Sequence, residues 1–236
     1  MALKEPAWYV VKEIFDAASG IRTMRLAPEK PVDFSFRPGQ FIALRQSDEQ
    51  GNVYRKMYSV ASSPLKPGEI EITFRVLGVF TQRMAAFKPG DRILLDGPYG
   101  AFVFDESKPN AVFLAGGCGI TPFMSMLRYA AEKKLANKIT LFYSCRNKAE
   151  SPYTNELEQL AQQNPNLTLV CTLTREQPPG WKGELGRVDG NMLKKYLRGL
   201  EDAQFYICGT PEMSKGFSDM LQQLGVKKES IHMEGW

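Results

Sequence analysis

The stretch "AVFLAGGCGITPFMSMLRYAAEKK", residues 111–134, decides the fold. Residues 111–117 are apolar without alternation, as in a strand covered on both faces, and they end in glycines. Thr121 then stands where a helix N-cap belongs, and Pro122 suits the first helical position. The same order recurs downstream. "KITLFYSC" (138–145), "NLTLVCTLT" (166–174) and "AQFYICG" (203–209) read as strands. "YTNELEQLAQQ" (153–163), "DGNMLKKYL" (189–197) and "PEMSKGFSDMLQQLG" (211–225) read as helices. Strands alternating with helices predict βαβ units and a doubly wound parallel α/β sheet over residues 110–236.

Upstream of 111 the pattern is different. "WYVVKEIF", "IRTMRLA", "QFIALRQ", "MYSVAS", "EIEITFRVL" and "DRILLDG" are β-branched or aromatic runs separated by Gly- and Pro-containing turns. Six strands at this spacing predict an antiparallel barrel or sandwich over residues 1–105, with a six-stranded β-barrel the expected form. One short helix fits 81–87, with Thr81 as its N-cap. The polar run "ESKPN" (106–110) reads as the hinge.

Bulk properties exclude several classes. The chain has 236 residues, 43% hydrophobic and 24% charged, with a net charge of +4. That is the composition of an ordinary globular protein, and a charge this small gives no argument for nucleic acid. No apolar run reaches the roughly 18 residues of a membrane span, and "MALKEPAWYVVKEIF" lacks a signal-peptide core. A cytoplasmic protein without stable membrane insertion is expected. Cys118, Cys145, Cys171 and Cys208 form no C-x-x-C pair, so zinc and plant-type iron–sulfur spacings are missing, and no metal is expected. His232 is the single histidine, which leaves no room for multi-His acid–base schemes.

Ligands of parallel sheets sit beyond the carboxyl ends of the strands. Three segments there carry chemistry. "LAGGCGITP" (114–122) pairs glycines, which admit a ligand close to the backbone, with a helix start that offers N–H groups to phosphate; a plain tight turn is the alternative. "LTREQPPGWKGELGRV" (173–188) brings Thr174, Arg175 and Arg187 onto one loop, able to hold a doubly charged phosphate or simply to face solvent. "YICGTPEM" (206–213) puts Cys208 at a strand end, as a site residue or as core. Upstream, Tyr58 and Ser59 lie on one strand, and "RVLGVFTQRM" (75–84) offers a helix start to a pyrophosphate.

With these segments in this order, the chain resembles the ferredoxin–NADP reductase family, a superfamily of flavoprotein pyridine nucleotide reductases, over nearly its whole length. "KMYSVASSP" (56–64) is similar to the family's R-x-Y-S flavin motif. "VLGVFTQRMAAFKPGDRILLDGPYG" (76–100) resembles its second flavin segment. "LAGGCGITPFMSMLR" (114–128) resembles its nucleotide turn, and "YICGTPEM" its C-G-x-P-x-M turn.

The resemblance implies an FAD-dependent oxidoreductase. Hydride would pass between NADP(H) and flavin, and single electrons to or from a separate acidic carrier, a ferredoxin or flavodoxin. It implies that Tyr58 packs on the flavin ring, that Ser59 lies near N5, and that Met57 flanks them. The backbones of Phe74 and Val76 would face the ribityl chain, and Gly78 and Thr81 would hold the pyrophosphate. Gly116, Gly117, Cys118, Thr121 and Pro122 would shape the nicotinamide pocket, flanked by Cys208 and Gly209. Arg146 would lie near the dinucleotide, and Thr174, Arg175 and Arg187 would take a 2′-phosphate, favouring NADPH; NAD(H) stays open because Glu176 follows directly. Trp236 resembles a terminal aromatic that covers the flavin. The motif's arginine falls on Lys56. Strand alternation puts Lys56 on the face of Tyr58 and Arg55 on the other, so Lys56 is expected at the FAD phosphates with Arg55 as the alternative. Lys4, Arg45, Arg83 and Lys88 are candidates for meeting the carrier, and a monomer is expected. An NADH-dependent oxygenase reductase, a free-flavin reductase and a non-catalytic regulatory protein are the competing readings.

Overall fold

In the computed structural model the described residues are 3, 5–47, 50–66 and 68–235. Trp236 and Lys4 lie outside them. Six antiparallel strands come first: β1 (Ala7–Ala18), β2 (Ile21–Pro28), β3 (Phe41–Ser47), β4 (Val53–Ser59), β5 (Ile70–Arg75) and β6 (Arg92–Tyr99). Their order in the sheet is β4-β3-β6-β1-β2-β5. Tyr9, Met24, Leu26, Ile42, Leu44, Ile72 and Leu95 fill the core on its inner face. The sheet rolls so that its two edges meet: just past β4 the Ala61 N–H donates to the Glu71 carbonyl of β5, 2.7 Å away. A short helix, α1 (Val79–Ala85), lies between β5 and β6.

The second sheet is parallel. Its strands are β7 (Asn110–Gly116), β8 (Lys138–Cys145), β9 (Leu167–Leu173), β10 (Glu184–Leu185), β11 (Ala203–Gly209) and β12 (Ile231–Gly235), in the order β10-β9-β8-β7-β11-β12. The helices are α2 (Thr121–Glu132), α3 (Thr154–Gln163), α4 (Gly190–Tyr196) and α5 (Pro211–Gln223). β7 and β11 are almost wholly buried, as their unbroken apolar runs require. From β7 the chain winds outward through β8 to β10, then returns to the other side of β7 as β11. The carboxyl ends of β7 and β11 therefore form a topological switch point.

The chain divides into two compact units, and the division is not one cut. The first comprises residues to Phe104 together with Thr121–Tyr129 of α2; the second comprises Asp105–Ile120 and everything from Ala130. Among the described residues no helix is long and apolar enough to cross a membrane.

Several expectations need correction. α1 starts at Val79 rather than 81, with Gly78 as N-cap and Thr81 two residues inside the helix. The Thr81 hydroxyl still serves the helix start, accepting the Leu77 and Gly78 N–H groups at 3.0 and 3.1 Å, which is why its pattern resembles a cap. Thr121 is the first residue of α2, because a 3₁₀ turn, Gly117–Ile120, feeds straight into it. β4 spans 53–59, not 57–62: pairing with β3 continues to Ser47↔Val53, and residues beyond Ser59 leave the sheet. Asn110 belongs to β7 rather than to the hinge, since β7 pairs from that residue on. β10 and β12 were not foreseen. β12 pairs in parallel with β11, and His232 stacks on Tyr206, 4.8 Å between ring centroids, while its Nε2 meets Gln204 Oε1 at 2.9 Å.

Candidate functional site

The first group of site residues gathers at the end of β4. Tyr58 is opposite Ile42 and Lys56 opposite Leu44, so both share the inner face of the sheet. The Tyr58 ring meets Phe74 edge-on (6.0 Å, 67°) and lies nearly parallel to Phe80 of α1 (6.4 Å, 25°). Burial raises its phenol well above the usual range, so the hydroxyl is a neutral donor. Ser59 follows, only 6% exposed. Val76 packs against this core and spends its N–H on the Gly20 carbonyl.

Arg55 is on the other face. It donates to Asp96 at 2.8 Å and stacks over Tyr99 at 5.1 Å, while Arg45 reaches the second Asp96 oxygen at 2.6 Å. Desolvation pushes the Asp96 carboxyl up, but hydrogen bonds from Arg55, Tyr99 and Arg45 outweigh it and leave it lowered. Arg45 is thus committed to an internal partner. Arg83 and Lys88 are exposed. Among the described residues Lys56 has no ion-pair partner.

Around Gly78 the surface is open and apolar. Leu77 is 79% and Val79 65% exposed, and a side chain placed on Gly78 would meet nothing within 4 Å. With Thr81 holding the Leu77 and Gly78 amides, the Val79 and Phe80 N–H groups remain at a helix start that has no internal acceptors for them. A half-buried phenol, an unpaired ammonium on the same face and an open apolar turn suit a flat aromatic group with an anionic tail.

The second group sits at the switch point of the parallel sheet. A Cβ on Gly119 would collide with the Cys208 carbonyl, and one on Gly116 with the Met213 sulfur. A Cβ on Gly209 would stand 2.9 Å from that sulfur. Gly119 lets the 3₁₀ turn pass the end of β11, and Gly116 and Gly209 leave room for Met213 of α5, a packing reason rather than a ligand reason. Gly117 differs: its φ is +53° and nothing lies within 4 Å of its Cβ position, so it is the glycine facing open space. Cys118 is half-buried. Cys208 is 2% exposed, and burial, reinforced by Glu234 and Cys118, pushes its thiol well up, so it stays protonated. Glu234, 8% exposed and in register with Cys208, is a buried carboxyl group that sequence reading missed because β12 itself was missed.

The third group rims the ends of β8, β9 and β10. The Arg175 N–H donates to the Arg146 carbonyl at 2.9 Å, and the Thr174 N–H and hydroxyl both donate to the Cys145 carbonyl at 2.9 and 3.2 Å. Arg146, Arg175 and Arg187 are exposed, and among the described residues none has a carboxylate partner. Glu176 is turned to the Lys148 backbone, accepting its N–H at 2.8 Å. Exposed guanidiniums, with their forked N–H donors, fit a phosphate dianion.

Comparison with known proteins agrees with both halves. Residues 9–104 match the oxidoreductase FAD-binding domain model, and residues 113–219 the oxidoreductase NAD-binding domain model. The F component of the Na⁺-translocating NADH-quinone reductase of Klebsiella pneumoniae is 33% identical over 212 residues, covering 83% of this chain and 52% of that one. The corresponding component of the Idiomarina loihiensis reductase is 29% identical over 76% of this chain and 48% of its own. The chain thus spans about half the length of these relatives. Among solved structures, the flavohem-like FAD/NAD-binding domain of a Vibrio cholerae nitric oxide dioxygenase superposes with a TM-score of 0.88 at 22% identity, covering 99% of each chain. A Neisseria gonorrhoeae ferredoxin NADP⁺ reductase with bound FAD and NADP superposes with a TM-score of 0.84 at 23% identity over 98% of each chain. These likenesses carry the fold.

Proposed function

The chain belongs to the FAD- and NAD-binding oxidoreductases of the ferredoxin–NADP reductase-like family, and on that premise we propose that it passes hydride between NADP(H) and bound FAD and exchanges single electrons with a separate carrier such as ferredoxin or flavodoxin. FAD supplies the redox chemistry, as the two-electron partner of nicotinamide and the one-electron partner of the carrier. The protein supplies position and electrostatics. Tyr58 seats the ring, Ser59 presents a hydroxyl at its reactive edge, and Met57 flanks them. Lys56 and the amides at the start of α1, placed by Gly78 and Thr81, take the phosphates. Phe74 and Val76 border the ribityl chain. Gly117, Cys118, Thr121 and Pro122 line the nicotinamide seat, with Gly116 and Gly209 fixing the strand ends beside it. Cys208 acts there as a neutral group, in register with Glu234.

One observation carries the choice of NADPH: Arg146 and Arg175 are joined through their backbones, and with Arg187 they offer three exposed, unpaired guanidiniums beside Thr174. A second reading, an NADH-dependent reductase acting within a larger assembly, is favoured by Glu176 on the same rim and by the NADH-quinone reductase components that resemble this chain.

The two readings separate in the Arg175→Ala variant. Losing a charge-assisted phosphate contact lowers kcat/KM for NADPH by at least about tenfold and leaves NADH within about twofold. Equal effects on both nucleotides would put the NADH reading in its place. Reduction of added ferredoxin or flavodoxin in the same assay identifies the class of carrier.

A further inference from the structure

We propose that Ser125 and Arg128 of α2 are positioning residues for the hydride transfer, clamping the segment that follows Tyr58 and Ser59 onto the helix that begins with Thr121 and Pro122. The inference rests on the flavin–nicotinamide reading above.

Beyond Ser59 the chain leaves the sheet, and its carbonyls need other donors. Two of them come from one helix. The Ser125 hydroxyl donates to the Ser62 carbonyl at 2.8 Å, and Arg128 Nη1 donates to the Ala61 carbonyl at 2.9 Å. The same Arg128 nitrogen reaches Glu71 Oε1 at 2.8 Å. Glu71 is 4% exposed, and its other oxygen accepts from Arg25 Nε at 2.9 Å. Its backbone belongs to the same knot: the Glu71 carbonyl receives the Ala61 N–H at 2.7 Å, and the Glu71 N–H donates to the Ser62 hydroxyl at 3.1 Å.

Thr121, Ser125 and Arg128 stand at i, i+4 and i+7, one stripe of the helix. Ser125 is fully buried and Thr121 nearly so, at 3%. Residues 121–129 belong to the same compact unit as β4. A rigid rod that starts at Thr121 and grips residues 61–62 by its side fixes the distance between Thr121 and Ser59. Hydride transfer depends steeply on such a distance, since about 1 Å of misplacement can cost about a hundredfold in rate. Ser125 is a polar side chain inside a helix core stripe, and packing alone would favour alanine there. Neither residue touches the reacting atoms; both act through the peptide that carries Ser59.

The test uses Ser125→Ala, Arg128→Gln and Arg128→Lys. Hydrogen exchange on the FAD-free proteins reads the clamp directly: the Val60 and Ala61 amides should exchange about tenfold faster in Ser125→Ala and Arg128→Gln, with Arg128→Lys closer to wild type. Rapid-mixing reduction of the FAD-saturated proteins reads the consequence. The limiting rate of flavin reduction should fall about tenfold or more while nucleotide Kd stays within about twofold, and Arg128→Lys should recover part of the rate. Variants that keep the wild-type limiting rate once saturated with FAD would overturn the proposal. Should Arg128→Gln fail to fold, Ser125→Ala, a near-isosteric change, decides alone. A wild-type flavin that neither nicotinamide reduces would overturn the functional reading itself, whereas a reducible wild type with unimpaired variants overturns only the clamp.

Discussion

Lys56 and Arg55 are neighbours in sequence on opposite faces of β4. Arg55 sits with Arg45 around Asp96, a 4%-exposed carboxylate that both arginines satisfy, whereas Lys56 shares the face of Tyr58. Alternation along β4 made this separation legible from the sequence. The partner that occupies Arg55 was not legible, because Asp96 is on β6, some forty residues away, and register cannot be read from one chain. We expect Lys56→Ala to raise the Kd for FAD by about ten- to a hundredfold, the worth of a charge-assisted contact, and Lys56→Arg to lower it by gaining a bidentate fork. Arg55→Ala should instead lower the unfolding midpoint, since it leaves Asp96 with only Arg45 and Tyr99, while FAD affinity in the folded protein stays close to wild type. Isothermal titration of the apoproteins, beside urea unfolding, checks both. FAD affinity tracking Arg55 rather than Lys56 would reverse the assignment.

At the level of elements, the strand–glycine–helix turn at 114–122 was readable because it combines an unbroken apolar strand with a helix start. The role of each glycine was not readable. Gly119 answers to the end of β11, and Gly116 and Gly209 to Met213 of α5, tertiary facts, whereas Gly117 is the one of these four that faces open space with a positive φ. Gly119→Ala would drive its methyl group into the Cys208 carbonyl, backbone that cannot move aside, and should destabilise by about 1–3 kcal/mol or more. Gly78→Ala, at φ −143° with empty surroundings, meets no clash, and the N-cap preference for Gly over Ala is offset by the lower entropy of the unfolded alanine chain, so stability should change by about 0.5 kcal/mol or less. Urea denaturation separates the two, and equal losses would mean that the turn after β7 does not pack against the end of β11 as described. β12 escaped sequence reading for a related reason: "IHMEG" is short and mixed in polarity, and what holds it is parallel pairing with β11 and the stack of His232 on Tyr206. Glu234 was lost with it.

For the whole molecule, two grammars in one sequence foretold two sheets, one antiparallel and one parallel, and the structure has both. The sequence did not foretell that residues 121–129 would cluster with the first unit. Ser125 and Arg128 look like ordinary helix residues until their acceptors at Ser62 and Ala61 are known. Candidate site residues could be named from the sequence where a local motif carries them, at Tyr58, Ser59, Gly117 and the 174–187 rim, but not where long-range partners do, as at Ser125 and Arg128. The central claim is that this chain holds FAD and reduces it with a nicotinamide nucleotide, NADPH in preference. An anaerobic titration of the FAD-saturated protein, followed at the flavin band near ~450 nm, tests it most directly. The account predicts that about one equivalent of NADPH bleaches the band, and that NADH does so with lower apparent affinity. A flavin band that persists in excess of both nucleotides would contradict it.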